Sequence, residues 1–262
     1  MINYLKSVLV PSTKMEFLGF VVDSLSLSLS LPRDKIRNVR KECQTLLDSP
    51  LVTVKQLAKL LGHLTSTIQA VFPGPLYFRH LQNEKNRALV LSQTYDSATP
   101  LSPQAKEELV WWRDNLKAWN GKALVSGSPD SVIETDASRQ GWGKGVSTGG
   151  QWSQGESLFH INCLELLAGA FAVKTFVKGK VQMRVRLLMD NLTAAHYINK
   201  MGGTKSPVLA RMALDLWEWC LHHNILIEAQ YLPGVLNIRA AENLGYFWTI
   251  TTGHWTPWCL QN

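Results

Sequence analysis

One stretch of the sequence, Leu187 to Ala195, constrains the fold of this chain more than any other. Three apolar residues run directly into Asp190, and Asn191 and Thr193 then offer capping side chains before a run that favours a helix. The pattern predicts a buried strand with a carboxylate at its tip, followed by a helix. A carboxylate placed there can face a metal ion or a substrate, or it can simply cap the next helix.

Two further acidic residues lie in segments that predict ordered structure. Residues 132–138 form a β-prone run that carries Asp136 near its end, and residues 160–171 predict an amphipathic helix. The apolar positions of that helix predict one buried stripe: Leu164, Leu167, Ala168 and Phe171. Glu165 lies at the edge of this stripe. Two strand aspartates and a helix glutamate can therefore converge at one end of a sheet.

Such a convergence implies a cation, because clustered acids repel one another unless a positive charge neutralises them. Ligands that are all oxygen atoms suit Mg²⁺ or Mn²⁺. Paired cations held in this way catalyse in-line hydrolysis of phosphodiesters. The residue types therefore favour a metal-dependent site formed by Asp136, Glu165 and Asp190.

The order and spacing of short motifs over more than a hundred residues carry a family resemblance. These motifs are Asp136-Ala137-Ser138, Gly141-Trp142-Gly143, Trp152-Ser153, His160-Ile161-Asn162, Leu164-Glu165-Leu166, Asp190-Asn191, Thr193-Ala194, Tyr197 to Thr204, Leu216 to Cys220 and Leu232-Pro233-Gly234. With them, the region from about Pro129 to Ala240 resembles the ribonuclease H domain of retrotransposon polyproteins, in particular those of the DIRS-like group. The resemblance implies that Asp136, Glu165 and Asp190 are the first three members of the family's metal-binding carboxylate set. It also implies two Mg²⁺ or Mn²⁺ ions and hydrolysis of the RNA strand of RNA·DNA hybrids.

The fourth carboxylate of the family pattern is missing from this chain. After Leu-Pro-Gly the pattern continues as Asn-x-x-Ala-Asp, soon followed by Ser-Arg, but here Asn237 leads to Ala240 and Ala241. Ala241 therefore stands at the fourth position, with the neighbouring Glu242 as the alternative acid. The family's last helix is also expected after residue 241, where glycines, a proline and threonines make a poor helix.

The final residues suggest a frameshift as the origin of this departure. In a shifted reading frame, the third base of each codon is read together with the first two bases of the next codon. In that frame the codons of Trp248-Thr249 must encode Asp, those of His254-Trp255 must encode Leu and those of Trp255-Thr256 must encode Asp. The family typically continues with Ser-Arg and then Asp-Trp-x-Leu. We therefore hypothesise that residues 241–262 are a frameshifted tail and that the reading frame belongs to a decayed element. The coding DNA, compared with an intact relative, tests this hypothesis.

Composition predicts a globular chain of two domains with a polyanionic partner. The 262 residues are 45% hydrophobic and 18% charged, and the net charge is +7. A basic balance favours nucleic acid but does not establish it, since many basic proteins bind none. The four cysteines show no paired spacing, so neither a zinc site nor disulfides are expected. No signal-peptide layout and no membrane-spanning run is evident, which predicts an intracellular protein, and the abrupt start suggests a piece of a larger one.

The N-terminal part predicts a β-hairpin over residues 15–31 and a helical module over 32–120. The strands of the hairpin are expected at 17–22 and 25–31, with Asp23-Ser24 as the turn. Hairpin and helices together resemble the end of a reverse transcriptase palm leading into its thumb and connection. No Tyr-x-Asp-Asp motif occurs, so polymerase activity is not expected.

A basic run opens the first predicted helix, which begins at Pro32. Its residues either form a solvated face or contact the phosphates of a duplex, as the resemblance to a thumb implies. They are Arg33, Lys35, Arg37, Arg40 and Lys41.

The remaining helices of this module carry local start signals. Thr53-x-x-Gln56 predicts a capping box, a third helix is expected over 76–91, and Ser102-Pro103 predicts the start of a fourth. Trp111, Trp112 and Trp119 fit either a core or base stacking, with the core favoured.

The fold class predicted is α/β, or α+β over the whole chain. A small hairpin and helical module precede a ribonuclease H-like mixed sheet flanked by helices, in the order strand, strand, strand, helix, strand, helix, helix, strand. The expected domains are 1–31, 32–120, a linker at 121–128, 129–240, and the aberrant tail 241–262.

Three functions stay open from the sequence. The first is a nuclease weakened by the loss of its fourth acid, and the second is a non-catalytic module that binds hybrids or duplexes. The third is a decayed product without a selected role. Glu134, two residues before Asp136, is either a supporting acid or an exposed residue. The glycine-rich segment 202–206 is a candidate for phosphate binding.

Overall fold

The computed structural model of this chain describes residues 10–125, 127–137, 141–144 and 149–233, with only the backbone given for 141–144. The chain divides into two compact units between Gly127 and Ser128. The fourth-acid position at Ala241 and the segment 241–262 lie outside the described residues. Among the described helices, none is long and apolar enough to cross a membrane.

In its described residues, the first unit combines short antiparallel strands with four α-helices. In chain order its elements are β1 (Lys14–Phe17), β2 (Phe20–Asp23), β3 (Ser28–Ser30), α1 (Arg33–Asp48), β4 (Val52–Thr53), α2 (Val54–Thr67), α3 (Arg79–Ser92), β5 (Ala98–Thr99), α4 (Pro103–Asn115) and β6 (Lys122–Ala123). One sheet has the order β1-β2-β3-β6, and β4 pairs with β5.

The prediction of a single two-stranded hairpin over residues 15–31 is wrong, because the chain forms three strands there and turns at different residues. Leu18 and Gly19 both have positive φ, 50° and 75°, and form a tight turn inside the predicted strand 17–22. The Oδ1 atom of Asp23 accepts hydrogen bonds from the backbone N–H groups of Leu25 and Ser26, at 3.0 and 3.1 Å. This side-chain turn keeps residues 24–27 out of the strand. Part of the predicted linker also differs, because Lys122–Ala123 is a strand that pairs with β3.

The starts of α2 and α4 follow the predicted signals, whereas α3 begins at Arg79 and not at the predicted residue 76. Thr53 and Gln56 form the capping box of α2, and the Ser102 hydroxyl accepts from Ala105 N at 3.3 Å at the start of α4. Trp112 is fully buried and donates its Nε1–H to the carbonyl of Tyr77 at 2.7 Å. The core interpretation is therefore right for Trp112, whereas Trp119 is 38% exposed.

The second unit is a mixed sheet with helices. Its elements are β7 (Ser131–Ala137), β8 (Gly141–Lys144), β9 (Gly150–Gln151), α5 (Ile161–Phe176), β10 (Arg184–Met189), α6 (Leu192–Asn199), α7 (Pro207–His222) and β11 (Leu226–Tyr231). The sheet order is β11-β10-β7-β8-β9. β10 runs parallel to β7 and β11, whereas β8 is antiparallel to both β7 and β9. The predicted α/β class and the predicted order of elements are confirmed.

The central helix α5 is buried on more sides than the predicted single stripe. It packs against β7 and β10 as well as against α6 and α7. Besides Leu164 and Ala168, further apolar residues of α5 are therefore buried: Cys163, Leu166, Ala170, Ala172 and Val173. Gly169 permits the close approach to β10, since an added Cβ would lie 3.3 Å from Met189 Cε.

Candidate metal centre

The parallel pairing of β7 and β10 places two aspartates side by side. Met189 is paired in register with Thr135, so Asp190 and Asp136 follow at the same edge of the sheet. Ile133 and Thr135 on β7 and Leu187 and Met189 on β10 are buried, which anchors both strands in the core. The aspartates therefore project from a rigid support.

Asp136 is half-buried and is held by its own strand end. Its Oδ1 atom accepts a hydrogen bond from the backbone N–H of Ala137 at 2.9 Å. Burial, followed by the charge of Asp190, raises the pKa of Asp136 to about 6.

Glu165 projects from α5, the helix that packs on β7. The His160 side chain caps this helix by accepting from Asn162 N at 3.2 Å. Glu165 is only 3% exposed, and its Oε2 atom is buried without a hydrogen-bond partner among the described residues. A buried carboxylate oxygen without a partner is expensive, so this position calls for a proton or a cation.

Asp190 is half-buried and lies directly before α6. The capping role falls to its neighbour Asn191, whose Oδ1 atom accepts from Ala194 N at 2.9 Å. The alternative interpretation of Asp190 as a helix cap is therefore wrong. Burial raises the pKa of Asp190 above its ordinary value.

The structure brings the three acids together. Ligand oxygens of Asp136, Glu165 and Asp190, one from each residue, all lie within 4.8 Å of one another. Burial, and then the charges of the two aspartates, raise the pKa of Glu165 to about 9. Without a cation the cluster therefore retains protons at neutral pH, and a bound cation would replace them.

The donor set fits a hard divalent cation. All three ligand groups are carboxylates, which suit Mg²⁺ or Mn²⁺ and disfavour softer metals. The buried Oε2 atom of Glu165, which has no partner among the described residues, is free to accept such a cation. Within the described ranges, this is the single group of three or more His, Cys, Asp or Glu side chains arranged to hold a metal.

The contact between Asn162 and Asn191, two residues close to the acids, could not be predicted from the sequence. Asn191 Nδ2 donates to Asn162 Oδ1 at 2.9 Å and thereby links the starts of α6 and α5. The adjacency of Asn191 to Asp190 and the helical spacing from Asn162 to Glu165 were visible in the sequence. Their contact was not, because it depends on how the two helices pack.

The basic residues of α1 lie in the first unit and differ in how far they are engaged. Arg37 pairs with Asp34 at 2.8 Å, Lys35 lies 4.8 Å from the centre of the Phe20 ring, and Arg40 Nε donates to the carbonyl of Arg113 at 2.7 Å. The side chains of Arg33 and Lys41 are exposed and have no partner among the described residues. Their role toward nucleic acid remains a prediction.

The glycine-rich segment 202–206 is occupied by its own contacts. Ser206 N donates to the Tyr197 hydroxyl at 2.9 Å, and the Ser206 hydroxyl accepts from Leu209 N at 3.3 Å to cap α7. Gly203 lies so close to the Tyr197 ring that an added Cβ would approach it to 2.8 Å. These contacts give the segment a structural role.

The topology and the acid cluster together define an α/β domain with a mixed five-stranded sheet and a candidate metal centre. A scan against protein-family models finds no match, and a search of curated proteins finds none either.

Solved structures give distant similarities. A foamy viral protease–reverse transcriptase in complex with double-stranded DNA is 13% identical with a TM-score of 0.35, and the match covers 83% of this chain but 38% of that one. RNase H1 from Halobacterium salinarum NRC-1 is 15% identical with a TM-score of 0.34, covering 43% and 90% of the two chains. The N-terminal RNase H domain of a Mycobacterium tuberculosis protein is 18% identical with a TM-score of 0.32, covering 43% and 93%.

Proposed function

We propose that this chain is a fragment of a retrotransposon reverse transcriptase whose second unit hydrolyses, slowly, the RNA strand of RNA·DNA hybrids. The observation that carries the proposal is the convergence of three carboxylates, one of which, Glu165, has a buried Oε2 atom without a partner among the described residues. The motif resemblance to the DIRS-like group supports the retrotransposon context.

Asp136, Glu165 and Asp190 would hold Mg²⁺ or Mn²⁺, two ions by the family resemblance. Bound there, such ions activate a water nucleophile and stabilise the charge on the leaving oxygen. The protein's own residues supply the support: β7 and β10 fix the two aspartates, and α5 presents the glutamate from the buried side. Glu165 must release its proton for this role, because its pKa lies near 9 without a cation.

A low rate follows from the missing fourth acid. With Ala241 at that position, three carboxylates must neutralise and orient both ions. Mg²⁺ demands near-ideal octahedral geometry, so an incomplete ligand set weakens it more than Mn²⁺. We therefore expect Mn²⁺ to support more hydrolysis than Mg²⁺.

The second candidate function is non-catalytic binding of hybrids or duplexes. It is favoured by the exposed, unengaged side chains of Arg33 and Lys41 on α1 and by the net charge of +7. In this case the acid cluster would be a relic, and a variant without the three acids would bind as well as the parent chain.

A substrate panel tests the proposed activity. RNA·DNA hybrid, double-stranded RNA and double-stranded DNA of one sequence, each labelled on either strand, are incubated with Mg²⁺ or Mn²⁺. The proposal predicts products from the RNA strand of the hybrid alone, in greater yield with Mn²⁺. Cleavage of all three duplexes, or of none while binding persists, contradicts it.

A further inference from the structure

An amide–amide hydrogen bond joins the first turns of α5 and α6. Asn191 Nδ2 donates to Asn162 Oδ1 at 2.9 Å, and both side chains are partly buried. The two residues are 29 positions apart in the chain, so the bond is a tertiary contact between two helix starts.

The polarity of this bond is fixed by the helix cap of α6. Asn191 Oδ1 already accepts from Ala194 N at 2.9 Å, which leaves Nδ2 as the atom that faces Asn162. Asn162 must then present its carbonyl oxygen, because two NH₂ groups cannot bond to each other. The amide of Asn162 is thus oriented by the cap of the neighbouring helix.

The bond connects the two elements that carry Glu165 and Asp190. Asn191 directly follows Asp190, and Asn162 lies three positions before Glu165, about one helical turn away on the same side of α5. Any sliding of α5 along β10 that separated the two acids would stretch this bond. One turn beyond Glu165, Gly169 of α5 lies close to Met189 of β10, so the helix also contacts the strand that precedes Asp190.

We propose that Asn162 and Asn191 are positioning residues that hold Glu165 and Asp190 at the spacing a divalent cation requires. A fixed link between their supports holds the two carboxyl groups at this spacing before the cation arrives, so that less rearrangement is needed when it binds. Residues that hydrogen-bond metal ligands directly commonly change metal affinity by about 10–100-fold when removed, and a link between the elements that carry the ligands should act at the lower end of this range. The inference rests on the proposed function, since it presumes that the cluster binds a cation.

Three variants separate the link from the helix cap. Asn162→Ala removes the acceptor and leaves the cap of α6 intact, whereas Asn191→Ser removes the donor but keeps a capping hydroxyl. The double variant combines both. Asn199→Ala is the matched control, because that amide makes two hydrogen bonds to the backbone of Ala229 on β11 and touches none of the three acids.

The readout is Mn²⁺ affinity without nucleic acid, measured on the full chain from the electron paramagnetic resonance signal of free Mn²⁺. Each single variant should bind Mn²⁺ about 10-fold or more weakly, and the double no more weakly than the worse single, because one bond is lost in all three. Thermal melts in EDTA check folding. Asn199→Ala should lower the melting temperature while leaving Mn²⁺ affinity unchanged.

Two outcomes overturn the inference. In the first, the single variants bind Mn²⁺ as tightly as the parent chain. In the second, the losses multiply in the double variant, so that the asparagines act separately. A separate comparison tests the proposed function itself. If the acid cluster binds no cation, the parent chain and Asp136→Asn will bind Mn²⁺ equally weakly, and the inference then fails as well.

Discussion

Glu165 sets the main energetic problem at the scale of single residues. The residue is 3% exposed, and one carboxylate oxygen has no partner among the described residues. A folded-state pKa near 9, against an ordinary value of 4.5, means that the folded protein holds the proton more tightly than the unfolded chain. The contribution of Glu165 to the free energy of unfolding is therefore fully present below pH 4.5 and is lost as the pH rises toward 9.

Replacing Glu165 with glutamine should therefore stabilise the metal-free protein at alkaline pH. Glutamine has nearly the same shape and carries no charge, so at pH 8 in EDTA we expect a higher melting temperature than in the parent chain. The same variant should lose the stabilisation that Mn²⁺ gives the parent. Glu228→Gln, at a surface ion pair with Arg186, is the control and should change neither. An unchanged response to Mn²⁺ in Glu165→Gln would exclude Glu165 as a ligand.

Cation binding should release protons, because Asp136 and Glu165 have pKa values raised to about 6 and about 9. Mn²⁺ affinity is then expected to rise as the pH increases from 5 to 9. Calorimetry at pH 7 in buffers of different ionisation enthalpy counts the protons released. The count should approach one and should vanish in Glu165→Gln. A pH-independent affinity would contradict these assignments.

At the scale of elements, α3 and α4 cap each other with buried carboxylates. Glu108 on α4 accepts from His80 N and Leu81 N at 2.8 and 2.9 Å, and Glu84 on α3 accepts from Ser102 N at 3.3 Å. Burial nevertheless raises the pKa of Glu108 to about 7. The start of α3 therefore depends on Glu108 of α4, and the start of α4 depends on Glu84 of α3 in addition to its own Ser102.

Glu108→Ala should destabilise the first unit by about 2–3 kcal/mol, because it leaves the buried N–H of Leu81 and the partly buried N–H of His80 without their acceptor. Chemical denaturation followed by tryptophan fluorescence measures the change. Glu107→Ala, on the exposed face of the same helix, should cost less than about 0.5 kcal/mol. Equal losses in both variants would show that the caps contribute little.

The elements that sequence alone could predict are those with local signals. The capping box of α2, the Ser102 start of α4 and the strand that precedes Asp190 all depend on residues a few positions apart. The turn at Leu18-Gly19 was missed because apolar residues on both sides concealed it. The strand β6, the wide burial of α5, the caps from Glu84 and Glu108 and the Asn162–Asn191 bond depend on tertiary neighbours, which periodicity does not reveal.

The acid cluster could be predicted only in part from the sequence. Each acid was visible at the end of a strand or on a helix, and the parallel order of β7 and β10 made their convergence reasonable. The burial of Glu165 and its unpartnered oxygen required the structure. The fourth position, Ala241, lies outside the described residues, so the frameshift remains a hypothesis about the coding DNA.

At the scale of the whole molecule, the first unit carries the exposed positive charge of α1 and the second carries the acid cluster. A variant with Arg33→Gln and Lys41→Gln should bind an RNA·DNA hybrid more weakly. The slope of the logarithm of its binding constant against the logarithm of salt concentration should also be shallower, by the equivalent of about two phosphate contacts. Binding is measured in EDTA, so that cleavage cannot interfere. Lys106→Gln with Lys117→Gln is the control of equal charge. A similar loss in both variants would indicate attraction by net charge alone.

The most direct test of the account is cleavage of a labelled RNA·DNA hybrid in Mn²⁺ by this chain and by its Asp190→Asn variant, side by side. Asparagine keeps the size of the side chain but removes a carboxylate from the cluster. We predict slow cleavage of the RNA strand by the parent chain and none by the variant, with equal melting temperatures in EDTA at pH 5. Equal cleavage by both, or none by the parent at saturating Mn²⁺, would contradict a catalytic role for the three carboxylates.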